Sequence, residues 1–202
     1  MNERPQPGSH APSRPLVWIH ADESCFGNQF RDRENPGGAG GLVEFWTGDG
    51  WVRQDYWVSE PATTNNRMAL RSGIEGLRAL TRPCWVGFVS DSQYVVKGMR
   101  EWLPVWKARG WKRKGGPIEN LGLWKDLDLA AETHQLRWEW VRGHTGMPRN
   151  EYANHLAVEA TRSQETSSGL VDSRFEEWLD TEREKSGRYL DFEESAPPPP
   201  PF

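Results

Sequence analysis

Apolar residues along the chain switch between the two-residue period of a strand and the longer period of a helix, and the switches mark out its elements. Leu16-Val17-Trp18-Ile19 is a short apolar strand that delivers Asp22 at its end. The run Gly37–Gly41 reads as a turn into a strand over Leu42–Trp46, and Gly48-Asp49-Gly50 makes a hairpin turn into a partner strand from Trp51 to Ser59. Met68, Leu70, Ile74, Leu77 and Leu80 follow at helical spacing behind Thr63-Thr64-Asn65-Asn66, whose hydroxyls and amides suit a helix start. Pro83 stops this helix, predicted over 64–80. Cys84–Val89 is a buried strand with Ser90-Asp91-Ser92 at its carboxyl end, followed by a helix predicted over 93–102. Another helix begins at Leu121, a strand alternates through Leu136–Val141, and a helix over 150–162 places Tyr152, Leu156 and Ala160 on one face. Val171, Phe175, Trp178 and Leu179 mark a short amphipathic helix within 171–183, free to dock on the domain, dock on a partner or fray.

These elements divide the chain into a disordered lead-in over 1–15, one domain over 16–163 and an acidic, proline-rich tail over 164–202. A length of 202 residues suits one domain with a tail. The net charge of −4 is unevenly placed: residues 164–202 hold ten acidic and four basic side chains, so the tail carries −6 and the rest +2. Lys107, Arg109, Lys112, Arg113 and Lys114 put five positive charges within eight residues, interleaved with Trp102, Trp106 and Trp111. Such a stretch suits a nucleic-acid backbone, and equally suits core packing with a solvated charged face. Cys25 and Cys84 are the only cysteines and read as free thiols in a reducing compartment. No apolar run reaches the roughly 20 residues of a membrane span, and residues 1–15 hold no signal-peptide core. A cytoplasmic, monomeric protein without membrane contact is the expectation.

Three positions invite chemistry, each with a plainer alternative. Asp22 at a strand end is a surface turn residue or a site residue. Asp91 stands at the carboxyl end of a buried strand, where open sheets hold their ligands, or it simply caps the next helix. His144, between Gly143 and Thr145-Gly146, is an exposed, movable loop histidine or an ordinary turn residue.

Taken together in order, Asp22-x-Ser24-Cys25-x-Gly27-Asn28, Thr63–Leu70, Ser90-Asp91-Ser92-Gln93-Tyr94, the tryptophan-rich basic stretch, Trp138–His144 and Asn150-Glu151 resemble ribonuclease H type 1 over residues 16–163. The resemblance implies an α/β fold: a five-stranded mixed sheet flanked by helices, with a basic handle. It also implies binding of RNA/DNA hybrids and cleavage of the RNA strand with Mg2+ or Mn2+. Two ions about 4 Å apart would clamp the scissile phosphate between the attacking water and the departing oxygen. Asp22 and Asp91 match two of the family's four metal-binding carboxylates, and His144 matches its mobile histidine. Asn28, Asn65, Asn66 and Gln93 match residues that contact the hybrid's minor groove, and Thr64 the DNA-phosphate site. Trp102, Trp106, Lys107, Arg109, Trp111 and Lys112 fall in the handle that grips the DNA strand.

The sequence departs from the family at the other two carboxylates. The helix glutamate is Ala69, which has no ligand atom, and the aspartate of the last helix is Asn154, which offers only a neutral carbonyl oxygen. No substitute is evident: Glu75 is about 240° around the helix from Ala69, and the imidazole of His155 is a poor magnesium ligand. The expectation is a hybrid-binding protein with weakened metal binding and cleavage crippled or lost. Alternatives are an active Mg2+- or Mn2+-dependent enzyme, a deliberately inactivated one, or an interaction protein acting through its tail. The acidic end closing on Pro201-Phe202 resembles the tail of bacterial single-stranded-DNA-binding proteins, which partner proteins recognise. A loop of about six extra residues, Gln29–Glu34, is a further departure from the family.

Overall fold

The computed structural model describes residues 14–27 and 35–195. Most of the lead-in, Asn28, the loop 29–34 and the closing residues 196–202 lie outside the described residues, and with them the expectations placed there.

Strand β1 (Leu16–Cys25) pairs antiparallel with β2 (Asn35–Trp46), which pairs antiparallel with β3 (Trp51–Thr63). Helix α1 (Asn65–Arg78) then crosses to β4 (Trp85–Ser90), parallel to β1, and β5 (Gln135–Trp140) lies parallel to β4. The sheet has six strands, in the order β5-β4-β1-β2-β3-β6, rather than the expected five. The sixth, β6 (Val171–Asp172), comes from the segment read as a tail and pairs with Gln54 and Asp55 of β3.

Helix α1 and α4 (Leu121–Ala131) cover one face of the sheet, burying Ile19, Leu70, Ile74, Phe88, Trp124 and Leu127 in the main core. The other face receives α5 (Pro148–Ser163), which lies across β1 and β2. The glycines expected to form a turn are instead strand residues, and α5 is the reason. A Cβ on Gly38 would stand 2.5 Å from the Ala157 carbonyl, and one on Gly40 2.5 Å from Leu156 Cβ. Only bare backbone lets the helix come this close.

The helix predicted over 93–102 is longer and interrupted. It runs as α2 (Gln93–Lys97), a π-helical turn (Gly98–Trp102) and α3 (Leu103–Ala108). The Leu103 N–H donates to the Gly98 carbonyl, one residue further back than in an α-helix. This re-phases the chain just before Pro104, which has no N–H to donate.

The segment after α5 folds back. Helix α6 (Phe175–Ser186) buries Phe175 and Leu179 with Leu42, Tyr152 and Tyr189 in a second core beneath α5. Of the dispositions open to this helix, it takes the intramolecular one. A polar tie fixes its start: the Arg174 N–H donates at 3.1 Å to Asp55 Oδ2, the oxygen that also accepts Tyr152 Oη of α5 at 2.5 Å.

Glu44 is the electrostatic centre of this face. Its carboxylate is 1% exposed and receives Arg53 Nε and Arg149 Nε, each at 2.6 Å, with His20 Nε2 at 3.3 Å. Arg53 reaches on to Glu176 and Glu194 of the C-terminal segment. Burial alone would push the Glu44 carboxyl up, but His20, Arg149 and Arg53 outweigh it and hold it at about 2. A carboxyl held below its unfolded value of 4.5 stabilises the fold when ionised, a contribution present above pH 4.5 and lost as the pH falls to about 2. Glu44→Gln should therefore cost about 3–5 kcal/mol at pH 7, the cost of stranding buried guanidinium groups. Urea denaturation should find variant and parent converging as the pH falls from 4.5 to about 2.

Candidate active site

Three carboxylates meet at the carboxyl end of the two central parallel strands. Asp22 and Glu23 come from β1 and Asp91 from the residue after β4, and each brings an oxygen within 4.8 Å of the others. Glu23 is a third carboxylate at this point, one that the sequence reading did not find. Its convergence with Asp22 needs explaining, because consecutive strand residues point to opposite faces. Pairing between β1 and β4 ends at Ala21 with Ser90, whereas β1 continues against β2 as far as Cys25. From Asp22 onward one edge of β1 is open, and Asp91 lies across it. The longer glutamate arm can turn over that edge to the same point.

Asp22 stands on the α5 face, where Asn150 Nδ2 donates to its Oδ2 at 3.4 Å. Its Oδ1 accepts the Glu23 N–H at 2.7 Å. Glu23 shares its face with Ala21, which packs in the same core as Ala69 of α1. Ala69 is 3% exposed, a small residue filling core space on the face from which Glu23 reaches the site. The missing carboxylate of α1 and the added one of β1 therefore belong to the same side of the sheet.

The site is charged against its own repulsion. Burial, then the neighbouring Asp91 and Glu151, push the Asp22 carboxyl up to about 8. Burial, then Asp22 and Asp91, raise Glu23 well above its usual range, opposed by a hydrogen bond with Ser92. Burial also raises Asp91, whereas His144 pulls it down. Crowded, partly desolvated carboxylate oxygens are the donor set that a hard divalent cation prefers, and a cation would relieve the repulsion. The residues present fit such an ion.

Around the cluster, Asp91 is held through its backbone, whose carbonyl accepts from Trp140 Nε1 at 2.9 Å. Gly143 lies so close that a Cβ there would stand 2.1 Å from Asp91 Oδ2. Next to it, His144 has a positive φ of 54° and an exposed ring whose Nδ1 lies 3.8 Å from Glu151 Oε2. Asn154 is half-buried on α5, four residues after Asn150 and on the same face.

The expected binding residues spread from this centre. Thr64 caps α1, its Oγ1 accepting the Arg67 N–H at 3.4 Å. Asn66 and Gln93 are exposed at the starts of α1 and α2, with Asn65 half-buried. In the handle, the tryptophans do more packing than presenting. Trp106 is 9% exposed and joins Tyr94, Trp102 and Trp124 in one aromatic cluster. Lys107 is ion-paired with Asp128 at 2.8 Å and Glu132 at 3.4 Å, so its charge is committed within the fold. Arg109 and Lys112 are exposed, as are Arg113 and Lys114, and Trp111 is half-buried beneath Lys125.

Glu23 was missed in the sequence, whereas Gly143 and Glu151 were read there only as parts of motifs, with no role assigned. A glutamate beside a strand-end aspartate was a signal, but strand alternation argued against it.

The family model for RNase H matches residues 14–162. The Ribonuclease H of Cupriavidus necator is 47% identical over 148 residues, covering 73% of this chain and 96% of its own. The Ribonuclease HI of Caulobacter vibrioides is 45% identical over 149 residues, covering 73% and 94%. Among solved structures, LC9-RNase H1, described as a type 1 RNase H with the type 2 active-site motif, is 56% identical with a TM-score of 0.77, covering 82% of this chain and 81% of its own.

Gly143→Ala should force Asp91 aside and weaken Mn2+ binding by about 10- to 100-fold, as the loss of a ligand's support does. Calorimetric titration of the full chain with Mn2+ checks this.

Proposed function

The chain belongs to the ribonuclease H family, of type 1, and on that footing we propose that it is an active, divalent-metal-dependent enzyme that cuts the RNA strand of RNA/DNA hybrids. One observation carries the reading: Asp22, Glu23 and Asp91 bring three carboxylate oxygens within 4.8 Å of one another. Glu23 stands in for the carboxylate absent at Ala69. The description of LC9-RNase H1 as a type 1 enzyme with a type 2 active-site motif supports an altered carboxylate set within this family.

Asp22, Glu23 and Asp91 would hold the metal, with Asn154 offering a neutral oxygen from α5. When bound, Mg2+ or Mn2+ supplies charge stabilisation at the phosphate and an activated water. The chain's own residues do the rest. His144, exposed on its loop, exchanges a proton at the departing oxygen and swings away with product. Thr64 presents a helix start to the DNA phosphate. Asn65, Asn66 and Gln93 read the 2′-hydroxyl side of the minor groove, as Asn28 does in the resemblance. Arg109 and Lys112 supply the handle's free charge, which makes hybrid affinity fall with salt. The absence of any described helix long and apolar enough to cross a membrane is consistent with action in the cytoplasm.

A second reading, hybrid binding with cleavage crippled or lost, rests on the neutral residues Ala69 and Asn154. Cleavage of a labelled hybrid in Mg2+ and Mn2+, with binding recorded in the same samples, separates the two. The parent chain should cut in Mg2+. Glu23→Gln should lose about 100-fold or more in rate, comparable to removing one electrostatic partner of the reacting group. The double variant Glu23→Ala, Ala69→Glu should recover part of that loss by returning the carboxylate from α1. A parent chain that binds hybrid but cuts in neither metal would establish the second reading instead.

A further inference from the structure

The family match ends at residue 162. What lies beyond it reaches back to the catalytic loop through one residue, Arg188, which follows α6. Its guanidinium pairs with Glu151 Oε1 at 3.5 Å. Glu151 is an α5 residue whose carboxylate is 11% exposed. The same Oε1 accepts the Gly146 N–H at 3.4 Å, and Oε2 lies 3.8 Å from His144 Nδ1. One carboxylate thus holds the histidine loop to α5 by a hydrogen bond to Gly146 and lies beside the His144 ring, and Arg188 pairs with the same Oε1.

The loop needs such a tie. His144 has a positive φ, and its ring is 74% exposed, with little packing to fix it. Glu151 also stands close enough to the carboxylate cluster to raise both Asp22 and Asp91. A negative group so placed either serves the loop or competes for the cation. The Arg188 guanidinium offsets that charge from the side of the C-terminal segment. Arg188 is itself held: its chain neighbour Tyr189 is buried in the second core, and the guanidinium lies 4.7 Å over that ring and 3.5 Å from Glu182. The same segment grips the start of α5 again through Arg149, which stacks 5.1 Å from Phe192.

We propose that the C-terminal segment is a positioning element for the catalytic histidine, with Arg188 fixing the Glu151 carboxylate that in turn holds the His144 loop. Arg188 touches neither substrate nor metal and acts through Glu151. The proposal rests on the hybrid-cleaving reading for its kinetic consequence, and on geometry alone for its effect on His144.

The test uses the full chain and two readouts. With saturating labelled hybrid in Mg2+, Arg188→Ala should lower kcat about 3- to 10-fold with KM unchanged, the pattern of an interaction that serves the reaction step rather than binding. Arg188→Lys keeps the charge and should recover at least half of the loss. Glu184→Gln, which removes a charge from an exposed position of α6, should match the parent. Melting temperature, recorded for each, should move little, because Arg188 is half-exposed. In parallel, the NMR signal of the His144 ring should shift and broaden in Arg188→Ala without substrate and return in Arg188→Lys.

An unchanged kcat with an unchanged His144 signal overturns the proposal. So does a loss equal in the Ala and Lys variants that tracks a fall in melting temperature, which marks a merely structural residue. If the parent cuts no hybrid, the cleavage reading fails. The His144 signal then decides alone, a shift supporting the proposal and an unchanged signal overturning it.

Discussion

A strand sends consecutive side chains to opposite faces, and the site exists because β1 escapes that constraint at one point. Where β4 stops at Ser90, β1 continues, and its open edge lets Glu23 from one face join Asp22 from the other. Asp91 enters from the end of the strand that stopped. Two neighbours crowd this gap: Gly143 lies close against Asp91, and Asn150 donates to Asp22. The three acids repel one another, so the protein holds them together by its backbone. The strain is electrostatic, and a cation bound there would relieve it.

The other face of the sheet is organised by opposite charges. Glu44 is buried near the carboxyl end of β2 and draws His20, Arg53 and Arg149 onto one carboxylate. Two of these cations extend the reach of the cluster: Arg53 to the acids of the C-terminal segment, Arg149 to the start of α5. Buried charges of this kind contribute little net stability over an apolar core, but they are costly to break singly. Their effect is to fix how α5 and α6 sit. The N-terminal turn of α5 carries Asn150 and Glu151, so the placement of a helix on bare glycine backbone becomes the placement of site residues.

Much of this was legible in the chain. Asp22 and Asp91 could be read because each ends an apolar strand, and the parallel pairing of those strands brings their ends together. The helix start at Thr64 was legible from its capping side chain. Glu23 was not, since period-two alternation excludes it unless one knows where the neighbouring strand stops, which is a tertiary fact. The β2 glycines read as a turn because local preference cannot see the helix that presses on them. The basic handle was legible as a cluster of charge. That Lys107 is neutralised by Asp128 and Glu132 depends on α4, which lies distant in sequence. The acidic tail read as an appendage because its apolar residues are few. Phe175 and Leu179 are nevertheless fully buried, and they anchor it.

Moving the carboxylate from α1 to β1 changes when the site comes into being. All three acids belong to β1 or the end of β4, strands that adjoin in space but are separated in sequence by β2, β3 and α1. Their pairing is a distant chain closure, and no partly folded form lacking it can assemble the cluster. A divalent ion held by this cluster would favour the finished sheet over what precedes it. By mass action, an ion at 100 times its dissociation constant adds about 2.7 kcal/mol to the closed state. An ion bound there would thus also be a ligand of the folding equilibrium, drawing β1 and β4 together.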